Sequence, residues 1–157
     1  MVTIPFEAEQ NLGKGVCGCN NDGCFNSMCS GMMIVHHVRR WIDRGYKTIL
    51  PELAGGAERI NAEHIGRAYR LGDQVAKMAL EQMIHYTAIW LYNVYVFLNI
   101  DCFIFSGGLL NMGDFYLQEI EKRFYTYADP NSNVHFLTTE LQADAGLIGA
   151  LELLFES

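Results

Sequence analysis

Basic side chains are scarce in this sequence: 11 Lys and Arg stand against 18 Asp and Glu, for a formal charge of -7. A chain with that balance has no bulk electrostatic attraction for nucleic acid or for an anionic membrane surface, so neither is expected as a partner. Proline is also sparse, at 3 residues in 157, and no Ser/Pro-rich tract occurs, which excludes a mucin-like or linker-dominated chain. Charged residues make up only 18% and hydrophobic ones 50%, so the chain can bury a sizeable core and is neither disordered nor a coiled coil. The first residues, Met1 to Glu7, carry no basic segment and no long apolar run, unlike a secretory signal. No GxSxG, Walker A or HExxH motif is present, which leaves hydrolase, P-loop and zincin chemistry without support. What remains is a one-domain globular α/β body in the cytoplasm.

One stretch imitates a membrane span. From Gln82 to Ile100 there is no Asp, Glu, Lys or Arg, and a run of about 18 apolar residues would suggest a spanning helix. Gln82, His85, Asn93 and Asn99 interrupt it, however, and Tyr86, Tyr92 and Tyr95 lie within it. A buried helix is expected, and no membrane.

Periodicity and punctuation give the elements. Residues 1–27 are turn-rich around clustered glycines and cysteines. A first helix is expected from Ser27 to Arg44, with Ile34, Val35, Val38, Trp41 and Ile42 at helical spacing and Gly45 as its stop. Residues 46–60, holding Pro51 and Gly55-Gly56, read as a loop. Asn61 opens a short helix, with His64 in place of Glu making an imperfect capping box. Asp73 caps a long helix whose C-terminal half is apolar on nearly every face and so should be enclosed on several sides. The run Cys102–Phe105 reads as a buried parallel strand ending at Ser106-Gly107-Gly108. Asp114 begins an amphipathic helix, Val134–Leu137 form a second strand, and a last helix starts at Ala143. Its small residues Ala145, Gly146, Gly149 and Ala150 would permit close packing. Two parallel strands make a poor sheet, since sheets average about 5–6 strands. Something that completes the sheet is missing.

The strongest chemical signal is a cluster of thiols. The five cysteines are Cys17, Cys19, Cys24, Cys29 and Cys102, and an odd count with three packed into one glycine loop suits a metal in a reducing compartment better than disulfides. Cys17, Cys19 and Cys24 can converge on a tetrahedral structural zinc, which needs a fourth ligand. No histidine precedes Cys17, and His36 and His37 fall on the next helix. The alternative is three unligated thiols. A second signal is the Gly107-Gly108 pair, because ligands collect at the carboxyl ends of strands in open α/β sheets; the alternative is a turn that needs glycine for geometry alone. His64, His85 and His135 have no mutual spacing and read as structural. Glu58 with Arg59, and Glu63 with Arg67, read as solvated charges, and Met28, Met32 and Met33 as core filling.

At these residues the chain resembles the ROK family of repressors, open reading frames and sugar kinases. Cys17-Gly18-Cys19-Asn20-Asn21-Asp22-Gly23-Cys24-Phe25-Asn26, then Ser30-Gly31, is similar to the family's CxCGxxGCxE loop and the Ala/Ser-Gly helix after it. Ile60 to Ile65, Gly72-Asp73 and the long helix resemble its helical segment, and Asn99-Ile100-Asp101 stands where it tends to have Asn-Pro-Glu. Phe103 to Gly108 resembles its strand ending in three glycines, and Ala143 to Ala150 its C-terminal signature. The likeness runs from about Gly15 to the end.

The resemblance implies an actin-like ATPase fold, in which two ribonuclease-H-like lobes close around ATP and a hexose. Residues 1–157 correspond to the C-terminal part of the second lobe, an incomplete α/β unit that is mostly helical with a short parallel sheet, with the cysteine loop at 15–30. Gly107 and Gly108 would lie on the adenosine side, Asn26 on the sugar side, and Cys17, Cys19 and Cys24 on a structural zinc. ATP and Mg²⁺ are implied only for a complete parent. The family's Asp-Gly-Gly-Thr phosphate loop and its catalytic aspartate have no counterpart here. Nor does its Glu-x-Gly-His motif, whose glutamate contacts sugar and whose histidine ligates zinc. The chain accordingly reads as a truncated piece, a gene fragment or a degenerate relative. Two departures lie inside the loop: Asn20 replaces a glycine, and Asn26 replaces the glutamate that helps hold sugar hydroxyls. The reading is the C-terminal part of an ATP-dependent hexose kinase such as a glucokinase, inactive by itself. The alternatives are the sugar-sensing module of a repressor, or a non-catalytic relative. A homodimer or larger homo-oligomer is expected.

Overall fold

The computed structural model describes residues 18–21, 23–140 and 144–155. In chain order its elements are α1 (Phe25–Cys29), α2 (Gly31–Asp43), α3 (Leu50–Ala54), α4 (Ala62–Arg70), α5 (Gln74–Leu98), β1 (Cys102–Phe105), α6 (Phe115–Phe124), β2 (His135–Thr138) and α7 (Ala145–Phe155). Short 3-10 turns cover Ala57–Arg59 and Gly108–Met112. The fold is therefore mostly helical, with a two-stranded parallel sheet among the described residues.

Local chemistry starts the helices. The carboxylate of Asp73 accepts from the Ala76 amide at 2.8 Å, which caps α5, and from the Ile49 amide at 3.0 Å, which ties down the approach to α3. At α4 the capping box is complete: Asn61 Oδ1 accepts from the His64 amide at 3.0 Å, and His64 Nδ1 accepts from the Asn61 amide at 3.3 Å. Histidine thus does the work of the usual glutamate.

Helix α5 is the axis around which α1, α2, α4 and α6 pack. Its Leu80, Met83 and Leu91 join Ile34, Val38, Leu50, Ile65 and Phe124 in one core. The helix is not enclosed to its end, since Val96, Phe97 and Leu98 are exposed. No helix is long and apolar enough to cross a membrane among the described residues.

Four further expectations need correction. The helix expected over Ser27–Arg44 is two helices, because Ser30 adopts an extended conformation (ψ 154°) and turns its hydroxyl to the Met33 amide at 3.4 Å, capping α2. The loop expected over 46–60 contains α3 and a 3-10 turn; Pro51 sits at the start of α3, where its missing N–H costs nothing. Met28 and Met33 are core, but Met32 is 80% exposed. Gly146 and Gly149 of α7 face open space rather than a closely packed neighbour. The expected start of that helix at Ala143 lies outside the described residues.

The sheet is covered on one face. Cys102, Phe103, Ile104 and Phe105 pair with His135, Phe136, Leu137 and Thr138 in parallel register, so β2 begins one residue later than Val134 and runs to Thr138. Phe103 and Phe136 lean on Phe124 of α6, with ring centroids 6.1 and 5.2 Å away. Ile104 points the other way, 70% exposed. β1 is half-buried, not buried on both faces as a parallel strand usually is.

Candidate functional site

The site is built where β1 and β2 end side by side. Pairing of Phe105 with Thr138, extended by the Thr139 amide donating to the Phe105 carbonyl at 2.9 Å, brings both carboxyl ends to one level. There the chain leaves β1 through Ser106 into Gly107, whose φ of +100° is costly for any residue with a Cβ. The Leu110 amide then closes on the Gly107 carbonyl at 3.2 Å, starting the 3-10 turn. A crevice of about 430 Å³ opens here between Gly107, Gly108, Asn111, Asp114, Thr138 and Thr139. The threonine hydroxyls, the Asn111 carboxamide and the Asp114 carboxylate line it, beside two glycines that let a polar ligand approach the backbone closely.

Gly108 also lines a second cleft of about 600 Å³, between α2 and the start of α4. Its walls include Val35, His36, Ile60, Asn61 and the stem of Arg39. Arg39 is a strut here: it donates to the carbonyls of Ala57 at 3.2 Å and Glu58 at 2.6 Å, and its Nη1 lies 3.8 Å from the Glu58 carboxylate. The glycine turn is the ridge between the two clefts.

The other candidate residues gather elsewhere. Asn26, exposed, is on α1 and outside the lining of either cleft. Cys24 is buried at the N-cap of α1, where the Ser27 hydroxyl donates to its carbonyl at 2.6 Å, and Cys19 is exposed. Between them Asn20 takes a left-handed conformation, φ 55°, which asparagine tolerates in place of the glycine of the resembling loop. Cys17 lies outside the described residues. Among the described residues no group of three potential ligands could hold a metal, and none of Cys19, Cys24, Cys29 and Cys102 is in a disulfide. Of the three thiols expected to hold zinc, only Cys19 and Cys24 fall among the described residues, on either side of the Asn20 turn. Cys29 is a different kind of cysteine. Burial pushes its thiol up to about 12, which keeps it protonated and inert.

Four of the five histidines have partners within the fold, while His36 lines the second cleft. His64 belongs to the capping box, His85 pairs with the Tyr127 hydroxyl at 3.0 Å, and His135 meets Asn133 at 3.2 Å. His37 is turned inward, its Nε2 3.4 Å from the Ser27 carbonyl, and burial lowers it to about 4. Sequence reasoning missed Asn111, Thr138 and Thr139, and saw Asp114 only as a helix start. The two threonines are signalled only by the parallel register, and Asn111 by the path of the 3-10 turn, neither of which a local pattern displays.

The ROK family model matches residues 6–157. The chain belongs to the ROK family. It is 26% identical over 147 residues to the glucokinase of Thermotoga maritima, an alignment covering 90% of this chain and 45% of that protein. Its fold matches that of a ROK family glucokinase from Streptomyces griseus, solved in complex with glucose and AMPPNP, with a TM-score of 0.75 and 26% identity over 89% of this chain and 47% of that one. A ROK family transcriptional regulator, a homologue of the E. coli MLC protein, shares the fold with a TM-score of 0.67 and 22% identity over 87% of this chain and 33% of that one. This ROK chain spans about half the length of the glucokinase relatives it matches. The match begins before the cysteine loop and runs to the C-terminus, so loop, long helix and glycine turn all lie inside it.

Proposed function

We propose that residues 1–157 form the C-terminal part of the second, ribonuclease-H-like lobe of an ATP-dependent ROK-type sugar kinase of the cytoplasm, acting on glucose or a related hexose. The observation that carries this reading is the Gly107-Gly108 turn, set between two clefts at the carboxyl ends of both strands. The turn would take the adenosine side of ATP. The cysteine loop would take the sugar side, with Cys17, Cys19 and Cys24 holding a structural zinc that stiffens a segment too glycine-rich to pack its own core. Phosphoryl transfer needs a positioned base, phosphate-cradling groups and Mg²⁺. The phosphate loop and catalytic aspartate that supply these in the family have no counterpart in this sequence. These residues alone therefore bind nucleotide without transferring phosphate.

Asn26 favours a second reading, a non-catalytic relative. An asparagine can donate as well as accept, but it lacks the anion that would order sugar hydroxyls. Titration of the chain with AMPPNP by calorimetry tests the first reading, with binding expected and lost in Gly107→Val. Absence of binding by the unaltered chain, or ATP turnover on glucose by these residues alone, contradicts it.

A further inference from the structure

The glycine turn is held from behind by α4, and we propose that Arg70 of that helix is the positioning residue that sets Gly107 and Gly108 for the nucleotide. The inference rests on the nucleotide reading above.

Arg70 lies in the last turn of α4 and donates from Nη1 to the carbonyl of Met112 at 2.7 Å. A charged donor on a carbonyl makes a stronger bond than a neutral pair. Its guanidinium also stands over the Phe115 ring, 5.5 Å from the centroid, and that ring stacks on Tyr69 at 5.0 Å, one residue before Arg70 on the same helix. The contact grips the far end of the 3-10 turn. From there a short relay of backbone bonds leads to the site: the Gly113 amide donates to the Leu110 carbonyl at 3.0 Å, and the Leu110 amide to the Gly107 carbonyl at 3.2 Å. A turn of this kind has few internal bonds and poor geometry, so an anchor at its far end adds to the hold that β1 has on its start.

Packing holds the same end of the turn. Met112 is fully buried, so the turn cannot drift outward without exposing it. A Cβ placed on Gly113 would stand 2.9 Å from Arg70 Nη1. Glycine there is what lets the guanidinium reach the carbonyl. Asp114, which follows, lines the crevice itself, so the clamp fixes both the floor and one wall.

The test compares Arg70→Met and Arg70→Lys with Arg67→Met, a control on the same helix. Heteronuclear NMR follows the amide signals of Gly107 and Gly108, and calorimetry with AMPPNP reads affinity. Arg70→Met is expected to displace both glycine signals and to weaken AMPPNP about tenfold, in a chain that still unfolds in one cooperative transition. Arg70→Lys, which keeps a charged donor, should restore most of the affinity, and Arg67→Met should change neither readout. Unmoved glycine signals in Arg70→Met, or an affinity equal to that of the unaltered chain, overturns the assignment. If the signals move but the unaltered chain takes up no AMPPNP, the clamp stands and the nucleotide reading falls.

Discussion

Gly66 of α4 and Met112 of the 3-10 turn touch backbone to backbone: a Cβ on Gly66 would stand 2.8 Å from the Met112 carbonyl oxygen and 3.0 Å from its Cα. Neither atom belongs to a flexible side chain, so neither can step aside. The helix and the turn carrying the candidate site are therefore spaced by the absence of one methyl group. Gly66→Ala should destabilise the fold by about 1–3 kcal/mol through overpacking, despite alanine's better helix propensity. Urea unfolding measures this. A midpoint equal to or above that of the unaltered chain would show that the contact yields freely.

A second prediction concerns acid. His37 is held near pKa 4, chiefly by burial, with Arg40 and His36 also disfavouring its charge and the bond to the Ser27 carbonyl opposing them. On unfolding it returns to its ordinary 6.5. Between those values the unfolded chain binds a proton that the folded chain does not, so stability falls as pH drops from about 6.5 to about 4. The loss attributable to this ring is about 2 kcal/mol, allowing for solvent screening at its edge. His37→Gln keeps a donor for Ser27 without a titrating ring. It should flatten the stability profile across that window in denaturant titrations at stepped pH. An undiminished slope in the variant would assign the acid sensitivity to other groups.

The parts of the fold that were legible were those written locally. Asp73, Asn61 and Ser106-Gly107-Gly108 each announce a boundary within a few residues, and the structure puts a helix or strand end at each. Ser30 is not legible as a boundary, because a serine inside a periodic apolar pattern looks like a tolerated helix residue, whereas here its hydroxyl serves the next helix's first turn. Pro51 and Gly55 read as loop residues, though proline at a start and a left-handed glycine at a stop also bound a helix as short as α3. The candidate site was half visible. Its glycines follow a strand in sequence, but Thr138 and Thr139 arrive through the register of β2, and Asn111 through the path of a 3-10 turn. Only tertiary structure places those three.

Metal content provides a third test. Zinc on Cys17, Cys19 and Cys24 implies about one ion per chain after purification without chelator, falling to background in Cys24→Ser. Affinity should be below that of a four-ligand site, because binding energy and folding energy are coupled and one protein ligand is lacking. Cys102→Ser, which changes an exposed thiol on β1, is the control and should leave the content unchanged. Zinc near zero in the unaltered chain, and no uptake after incubation with the ion, would mean that the thiols stand unligated.

The last prediction follows from the uncovered side of the sheet. Ile104 and Leu137 are directly paired across β1 and β2, and both face solvent, at 70% and 50% exposure. Val96, Phe97 and Leu98 at the end of α5 are exposed as well, and so are Leu147, Leu151, Leu153, Leu154 and Phe155 on α7. Each large apolar side chain left in water forgoes about 1.5–3 kcal/mol, against a total stability of about 5–15 kcal/mol for a typical domain. Covering all ten would offer about 15–30 kcal/mol, more than the roughly 4–15 kcal/mol that association costs in lost freedom. The chain by itself should therefore be a homodimer or larger oligomer at micromolar concentration, joined through the sheet face and the helix ends. Ile104→Lys with Leu137→Lys sets two like charges opposite each other on that face, and should shift light scattering toward the 17.8 kDa monomer. A cooperatively folded monomer from the unaltered chain would show instead that this apolar face is tolerated in water.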